Sequence, residues 1–497
     1  MYQQAQSGAA AHYHAMQELK EYVADLCDCL QDKAPLIEEL EEHMQRSTEQ
    51  RATAYTDRRQ AEREDEANQM DAAISAALGV SDRGADAMAM AAAAAKNAVL
   101  NQFQVSSMAD VDEFGRDTNM GRRMEIQNRR ARMARRRARA EQRRRQRGDV
   151  APADMRELGE TSSEESEGEQ TTYTRQLEEV TETSGGVFGD ASNEFAELEY
   201  VKNKFEQWKR LYPQSYRDAY VGMSAPAIFA PFVRLELLSW SPLYTSKGLD
   251  SMSWYNQLFN FGMPDNMDDL DPEDPDGNLV PSLVHKVALP IVHHAAECWD
   301  PYSSKQTKCL ANAVKEILIY CPPEDDESIQ MMNAVHRKLA EAVKECVLPS
   351  WPITAVGAAQ GAAELSARRF GEAVRLIRNV AAWEEVLPQR EVQALALNQL
   401  IAYRMVPHLH SLMPLDALFR LGRALSAIPD NWITDSHDGI AALRESAAVV
   451  AQKLLKRGAV GGSGESIGKR VIKILTTLGD TATARSVAKT FGIRNAL

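Results

Sequence analysis

Between Arg122 and Arg147 the chain carries thirteen arginines and two glutamates, Glu125 and Glu141, a local charge of +11. The whole 497-residue chain is formally −14, so the remainder carries −25. No core accommodates such a run, because like charges repel and Met124, Ile126 and Met133 form no apolar stripe. The run stays in water or meets an anionic partner, and nucleic acid is the leading one. Its cations are Arg122, Arg123, Arg129, Arg130, Arg132, Arg135, Arg136, Arg137, Arg139, Arg143, Arg144, Arg145 and Arg147. As continuous helix the run would be about 39 Å long at 1.5 Å per residue. Its arginines would surround that helix, which argues against a membrane-surface role. A nuclear localisation signal alone also accounts for the run.

The six cysteines (Cys27, Cys29, Cys298, Cys309, Cys321, Cys346) are sparse and read as reduced thiols. The opening MYQQAQSGAA has neither a basic n-region nor an apolar h-region. The stretch Ala85–Leu100 is weakly apolar, too short to span a bilayer and interrupted by Lys96. The expectation is a soluble, intracellular, nuclear protein with no membrane partner.

Residues 12–60 read as a coiled coil. Leu19, Val23, Leu26, Leu30, Ile37, Leu40 and Met44 recur at spacings of three and four, with Lys33 at one seam position. Pro35 would kink that helix or start a second one. An amphipathic helix packed on its own domain is the plainer alternative to an intermolecular coil. Residues 61–120 are Ala-, Asp- and Met-rich and read as low-complexity linker with transient helix, with 121–148 the basic arm. Residues 149–190 form an acidic, Ser-rich linker. There Ser162 and Ser166 each precede an acid by three residues, a pattern acidophilic kinases favour. Each phosphate would add roughly −1.5 to −2 and compete with the arm; the alternative is a solvated linker.

Residues 191–497 read as a multi-helix domain. Phe195, Leu198, Val201, Phe205, Trp208 and Tyr212 form one stripe, and further helical stripes follow with almost no alternating strand pattern. The fold class is all-α, with a solenoid-like stack as one option, although no fixed repeat period supports a regular repeat family. Six aromatics, Trp208, Tyr216, Tyr220, Trp240, Trp254 and Trp299, are candidate anchors for a partner groove; plain core is the competing assignment.

Motifs for chemistry fail on spacing. GGSGESIGKR (461–470) has Ser463 where a phosphate loop needs glycine, and Arg470 where it needs Ser or Thr. His293, His294, Cys298 and Cys309 match no zinc pattern. Asp274-Pro275-Asp276-Gly277 lacks the closing Glu of a calcium loop. No nucleophile–base pair has local support, and no catalytic residue, metal or cofactor is assigned. A basic leucine zipper would need heptads directly after the arm, where Gly148 and Pro152 stand instead.

Several long blocks together resemble the GC-rich sequence DNA-binding factor family. They are CLQDKAPLIEELEEHM, VDEFGRD (111–117), the arginine block, the acidic serine segment and FEQWKRLYPQSYRDAYVGMSAPAIFAPFVRLELLSWSPL (205–243). WYNQLFNFG (254–262), LVPSLVHKVALP (279–290), WDPYSSKQT (299–307) and the ending TARSVAKTFGIRNAL continue the order. The resemblance covers about 16–60 and 111–497. The chain departs from the family in lacking its long N-terminal region and in its Ala/Met-rich linker.

The resemblance implies a helical fold and a nuclear, non-enzymatic scaffold of pre-mRNA splicing. It further implies association with late, intron-lariat spliceosomes and their disassembly, beside a tuftelin-interacting-protein-like partner. An alternative within the family is a DNA-binding transcriptional regulator, or an adaptor between transcription factors and chromatin modifiers. On the first reading the coil docks a partner helix and the arm lies on RNA or DNA phosphates or on an acidic protein. No small-molecule substrate is implied.

Overall fold

The computed structural model describes residues 2–79, 85–107, 127, 131, 134, 138, 167–263, 274–359, 361–433, 437–457, 464–491 and 493. Among them there is no strand, and no helix is long and apolar enough to cross a membrane. The helices are α1 (Tyr2–Leu78), α2 (Ala85–Ser107), α3 (Glu167–Gly186), α4 (Asn193–Ala196), α5 (Leu198–Leu211) and α6 (Pro213–Asp218). Next come α7 (Val221–Leu237), α8 (Ser253–Leu258), α9 (Leu279–Leu283), α10 (Leu289–Cys298), α11 (Ser304–Tyr320) and α12 (Asp326–Glu345). The last are α13 (Ile353–Ala358), α14 (Ala362–Ala381), α15 (Gln389–Gln393), α16 (Val406–His410), α17 (Pro414–Leu425), α18 (Asp430–Ile433), α19 (Asp438–Arg457), α20 (Gly464–Thr477) and α21 (Thr481–Thr490).

The chain divides into two compact units. The first comprises residues 1–54, 164–300 and 305–336; the second comprises 55–163, 301–304 and 337–497. Residues 191–497 are divided between the two units, and each unit takes part of α1.

In the first unit, Phe205, Phe229, Phe261 and Trp254 anchor the core, each 3% exposed or less. Phe229 meets Phe261 edge-on at 5.2 Å and Phe205 at 6.3 Å. Each fully buried side chain of this size contributes about 1.5–3 kcal/mol. Glu236 on α7 accepts the N–H groups of Ser253 (2.7 Å) and Trp254 (2.8 Å), donors that the first turn of α8 leaves free. Residues 167–186, expected as linker, are helix α3. Val180 and Val187 bury against Ile37, Leu40 and Leu238, which explains why an acidic stretch folds there.

In the second unit α14 buries Phe370, Ala373, Val374, Leu376, Ile377 and Val380. Residues 61–78 and 85–107 are helical rather than linker. Met70, Ala73, Ile74, Ala77 and Ala91 pack on Ala355, Ala359, Ala362 and Leu365. Alanine-rich sequence gives a weak apolar signal, but small side chains let helices approach closely.

Two helices contain π-helical segments, Val284–Ala288 and Ala394–Met405. Each ends two residues before a proline, Pro290 or Pro407. A proline ring clashes with the carbonyl four residues back and offers no N–H, and a widened turn relieves both problems. Pro35 does not start a second helix. α1 runs through it unbroken, and it lies on the exposed face, where water can serve the carbonyl left without a donor.

Candidate interaction surfaces

The heptad seam is occupied by the chain itself. Leu26 and Ile37 are fully buried and Leu30 and Leu40 nearly so, with Leu19, Val23 and Met44 half-buried at the edges. Tyr22, on the same stripe, stacks on Phe195 at 5.2 Å, and its hydroxyl donates to the Glu194 carbonyl at 3.0 Å. Burial, then Glu194, pushes that phenol up to about 12. Lys33, the polar seam residue, bonds Asp190 at 2.6 Å, and Arg234 on α7 grips Glu41 through two bonds of 2.6 and 2.7 Å. For Leu26, Leu30, Ile37 and Leu40, whose side chains are buried, the assignment to an external partner helix is thereby corrected. Within the first unit, Ile37, Leu40 and Met44 pack with Val180 of α3, and Tyr22 of the same stripe packs on α4.

Most of the aromatic anchors are likewise core. Trp254, Trp299, Tyr216 and Trp240 are buried, and the indole N–H groups of Trp299 and Trp240 donate to Thr307 Oγ1 and the Lys247 carbonyl, both at 3.2 Å. Trp208 is half-buried between Phe205 and Tyr216, with ring centroids 6.2 and 5.9 Å away. These five are corrected from partner anchors to core. Tyr220 differs, being 68% exposed. It holds φ 53° and ψ 34°, the left-handed region that a bulky side chain avoids, at a cost of about 1–2 kcal/mol. Met223, one turn on, is 70% exposed.

Lys209, Tyr216, Asp274 and Asp276 form a polar knot. Asp276, whose side chain is 2% exposed, accepts from Tyr216 Oη (3.0 Å) and Lys209 Nζ (2.6 Å). Lys209 also donates to Asp274 (2.6 Å) and to the Gly262 carbonyl (2.8 Å). Burial raises the Asp276 carboxyl, and Lys209 and Tyr216 oppose that shift. Gly222 and Gly262 close the knot, because a Cβ on either would meet the Asp276 carboxylate; Gly262 also holds φ +70°. The Asp-Pro-Asp-Gly segment that looked like part of a calcium loop is thus a structural staple. The sequence signal was available in Lys209, but α6, α7 and α8 lie between the two in the chain and nothing in the spacing pairs them.

A second electrostatic assembly lies in the other unit. Glu372 faces Arg63 (3.4 Å) and Arg369 (3.2 Å), while Glu66 meets Arg368 and, at 3.5 Å, Arg369. Arg59 and Arg63 lie over the Tyr302 ring at 4.7 and 4.5 Å. Burial works against the Glu372 charge, but Arg369, Arg63, Arg368 and Arg375 outweigh it and hold the carboxyl below its ordinary value. Nearby, His408 donates from Nδ1 to the Pro349 carbonyl (2.6 Å) and accepts from Arg420 at Nε2 (2.5 Å). Burial drives its imidazole down to about 4, so it is neutral.

His293, His294, Cys298 and Cys309 do not assemble as ligands. His294 meets Glu49 at 3.0 Å and Cys298 at 3.7 Å, and among the described residues no group of three or more His, Cys, Asp or Glu could hold a metal ion. The arginines of the arm and the phosphorylation candidates Ser162 and Ser166 lie outside the described residues. Gln127, Ala131, Ala134 and Ala138, interspersed in the arm, are helical and exposed.

These features define an all-helical, multi-helix protein. Residues 198–406 match the family described as GC-rich sequence DNA-binding factor-like protein, and the chain belongs to that family. It is similar to the transcriptional repressor ILP1 of Arabidopsis thaliana, 33% identical over 507 residues that cover 99% of this chain and 56% of that protein. It is 26% identical to PAX3- and PAX7-binding protein 1 of Homo sapiens, over 86% of this chain and 44% of the relative. The intron Large complex component GCFC2 of Mus musculus is 24% identical, over 86% of this chain and 52% of that protein. The chain spans about half the length of the curated relatives it matches.

Proposed function

We propose that this chain is a non-enzymatic nuclear scaffold of pre-mRNA splicing, acting at late, intron-lariat spliceosomes and their disassembly. The observation that carries this reading is the similarity, across most of the chain, to a protein named as an intron Large complex component. The arginine block supports it as a phosphate-seeking arm. At +11 it sits in a chain that is otherwise strongly acidic. If roughly 6–10 phosphates are neutralised, affinity falls about 10³–10⁵ between 50 and 200 mM salt. A flat salt response would remove the arm from this role. Phosphates on Ser162 and Ser166 would weaken the arm by competition. With the core of the seam buried, contact with a tuftelin-interacting-protein-like partner is better sought at Tyr220 and Met223, an exposed pair at the N-terminal end of α7.

The test is affinity purification from nuclear extract, read by mass spectrometry and RNA sequencing. Lariat introns and late spliceosomal proteins are the expected catch. Recovery of chromatin complexes alone would overturn the reading in favour of a second one, a DNA-binding transcriptional regulator or adaptor. That second reading draws on the similarity to a protein named as a transcriptional repressor.

A further inference from the structure

One backbone strain in the first unit has no compensating side-chain contact within it. Tyr220 is the one non-glycine residue at positive φ among the described residues. Glycine or asparagine makes such a turn at less cost, and strain of this kind persists where it serves a function. Yet the Tyr220 ring packs on no other ring, and its hydroxyl makes no hydrogen bond among the described residues.

The helix that follows carries no charge on its outer side. Between Asp218 and Arg234 every residue is uncharged. α7 turns Val221, Ala225, Phe229, Phe232 and Val233 into the core. On the opposite side, Met223, Ser224 and Ala227 are exposed and Ala230 is half-buried. A helix face in water ordinarily carries charged or polar residues, and a helix apolar all round is ordinarily covered all round. Ser224, the polar residue of this side, turns back and donates to the Tyr220 carbonyl at 3.2 Å.

These side chains restrict what covers the stripe. From Met223 to Ala230 it offers no hydrogen-bonding side chain besides Ser224, so an extended peptide or a nucleobase would leave its own polar groups unserved there. A helix satisfies its backbone internally and loses nothing. The neighbouring charge sets the sign. Glu206 and Asp218, the acids between residues 200 and 233, are taken by Lys202 at 3.5 Å and by Gln214 at 2.9 Å. Arg210 and Arg217, in the last turns of α5 and α6, are exposed and pair with no carboxylate among the described residues. Arg217 is one turn from Tyr220, whose N–H donates to its carbonyl at 2.9 Å.

We propose that the Tyr220–Met223–Ala227 stripe seats one amphipathic helix of a partner protein, apolar on its docking side and carrying an aspartate or glutamate that meets Arg217. The inference rests on the reading of Tyr220 and Met223 as a partner contact and names the chemistry of that partner. Tyr and Met are enriched at such interfaces, and the small side chains of Ala227 and Ala230 admit a close helix.

The test uses the full chain with benzoylphenylalanine in place of Met223, photo-crosslinked in nuclear extract and read by mass spectrometry. The expected product joins position 223 to a segment with apolar residues at i, i+3, i+4 and i+7 and an acid within one turn of that stripe. That segment, made as a labelled synthetic peptide, should bind the purified full chain in fluorescence anisotropy and gain helical circular dichroism on binding. Met223→Glu, at an exposed position, should leave the melting temperature unchanged and weaken the peptide about tenfold or more. Arg217→Glu should weaken it about fivefold, and reversing the peptide's acid to lysine should restore most of that loss. The inference is overturned by crosslinks to RNA, to a second copy or to the chain itself, by no crosslink at all, by a basic or non-helical segment, or by charge reversal without rescue. The splicing reading fails on a different result, the absence of lariat introns from purifications of the unaltered chain, whichever segment position 223 touches.

Discussion

Replacing Asp276 with alanine should destabilise the first unit far more than the same change at Asp274, although the two carboxylates share Lys209. The Asp276 side chain is 2% exposed and serves both Tyr216 and Lys209; that of Asp274 is 30% exposed. Losing Asp276 leaves the Tyr216 hydroxyl, in a residue 3% exposed, without its acceptor. An unserved buried hydroxyl costs about 1–3 kcal/mol. It also removes one partner of a pair buried on the carboxylate side, and breaking such a pair raises the total to about 3–5 kcal/mol. Losing Asp274 removes a partly exposed pair and one cap to the Asp276 N–H at 3.1 Å, about 1 kcal/mol in all. For a unit of this size each kcal/mol moves the midpoint by about 2–4 °C. Asp276→Ala should therefore melt roughly 6–20 °C lower and Asp274→Ala only a few degrees lower. Hydrogen-exchange mass spectrometry on peptides spanning 205–220 and 274–290 locates the loss. Equal midpoints for the two variants would refute the reasoning, because burial would then not be deciding the cost.

Glu372 supplies a pH dependence to the second unit. Its carboxyl titrates below its ordinary value, so its stabilisation is complete above about pH 4.5 and is lost as pH falls through the lower, folded value. In acid titrations of unfolding, Glu372→Gln should flatten that limb and lower stability at neutral pH by about 2–3 kcal/mol. Tyr220→Gly should leave the melting temperature unchanged or raise it, because about 1 kcal/mol of left-handed strain is relieved and the lost ring was exposed. The same variant should lose partner recovery if Tyr220 is a contact. Gly439→Ala should destabilise the second unit by about 1–3 kcal/mol in urea titrations, since a Cβ there runs into the Leu397 carbonyl of the π-helical segment.

The all-helical fold was legible because stripes such as Phe205, Trp208 and Tyr212 repeat at helical spacing, and such a period has one physical meaning. What the seam packs on was not legible. Leu26 and Ile37 say that a face is apolar, but only the three-dimensional contacts say that Val180 and Val187 cover it. The packing of 61–78 was not legible, because alanine and methionine carry a weak hydropathy signal, and its anchors, Arg63 and Glu66, look like solvated charges until Glu372, Arg368 and Arg369 face them. Tyr220 and Tyr216 are indistinguishable as sequence. Their different fates follow from a backbone turn that no periodicity encodes.

The polar residues on the buried stripe of α1 bear on how that helix chooses its partners. Lys33, Ser47 and Glu66 are each 10% exposed or less, and each meets a different complementary group, Asp190, Gln176 Oε1 and Arg368. A parallel, in-register pairing of two α1 helices would set Lys33 against Lys33 and Glu66 against Glu66. Both are like-charge contacts at buried positions, and neither would keep its present acceptor or donor. The apolar residues alone would tolerate that dimer, since Leu, Ile and Met pack on themselves as readily as on Val180. The polar interruptions therefore discriminate. They cost little against the chain's own helices and much against a second copy. The same residues that weaken the heptad pattern in the sequence direct the stripe inward.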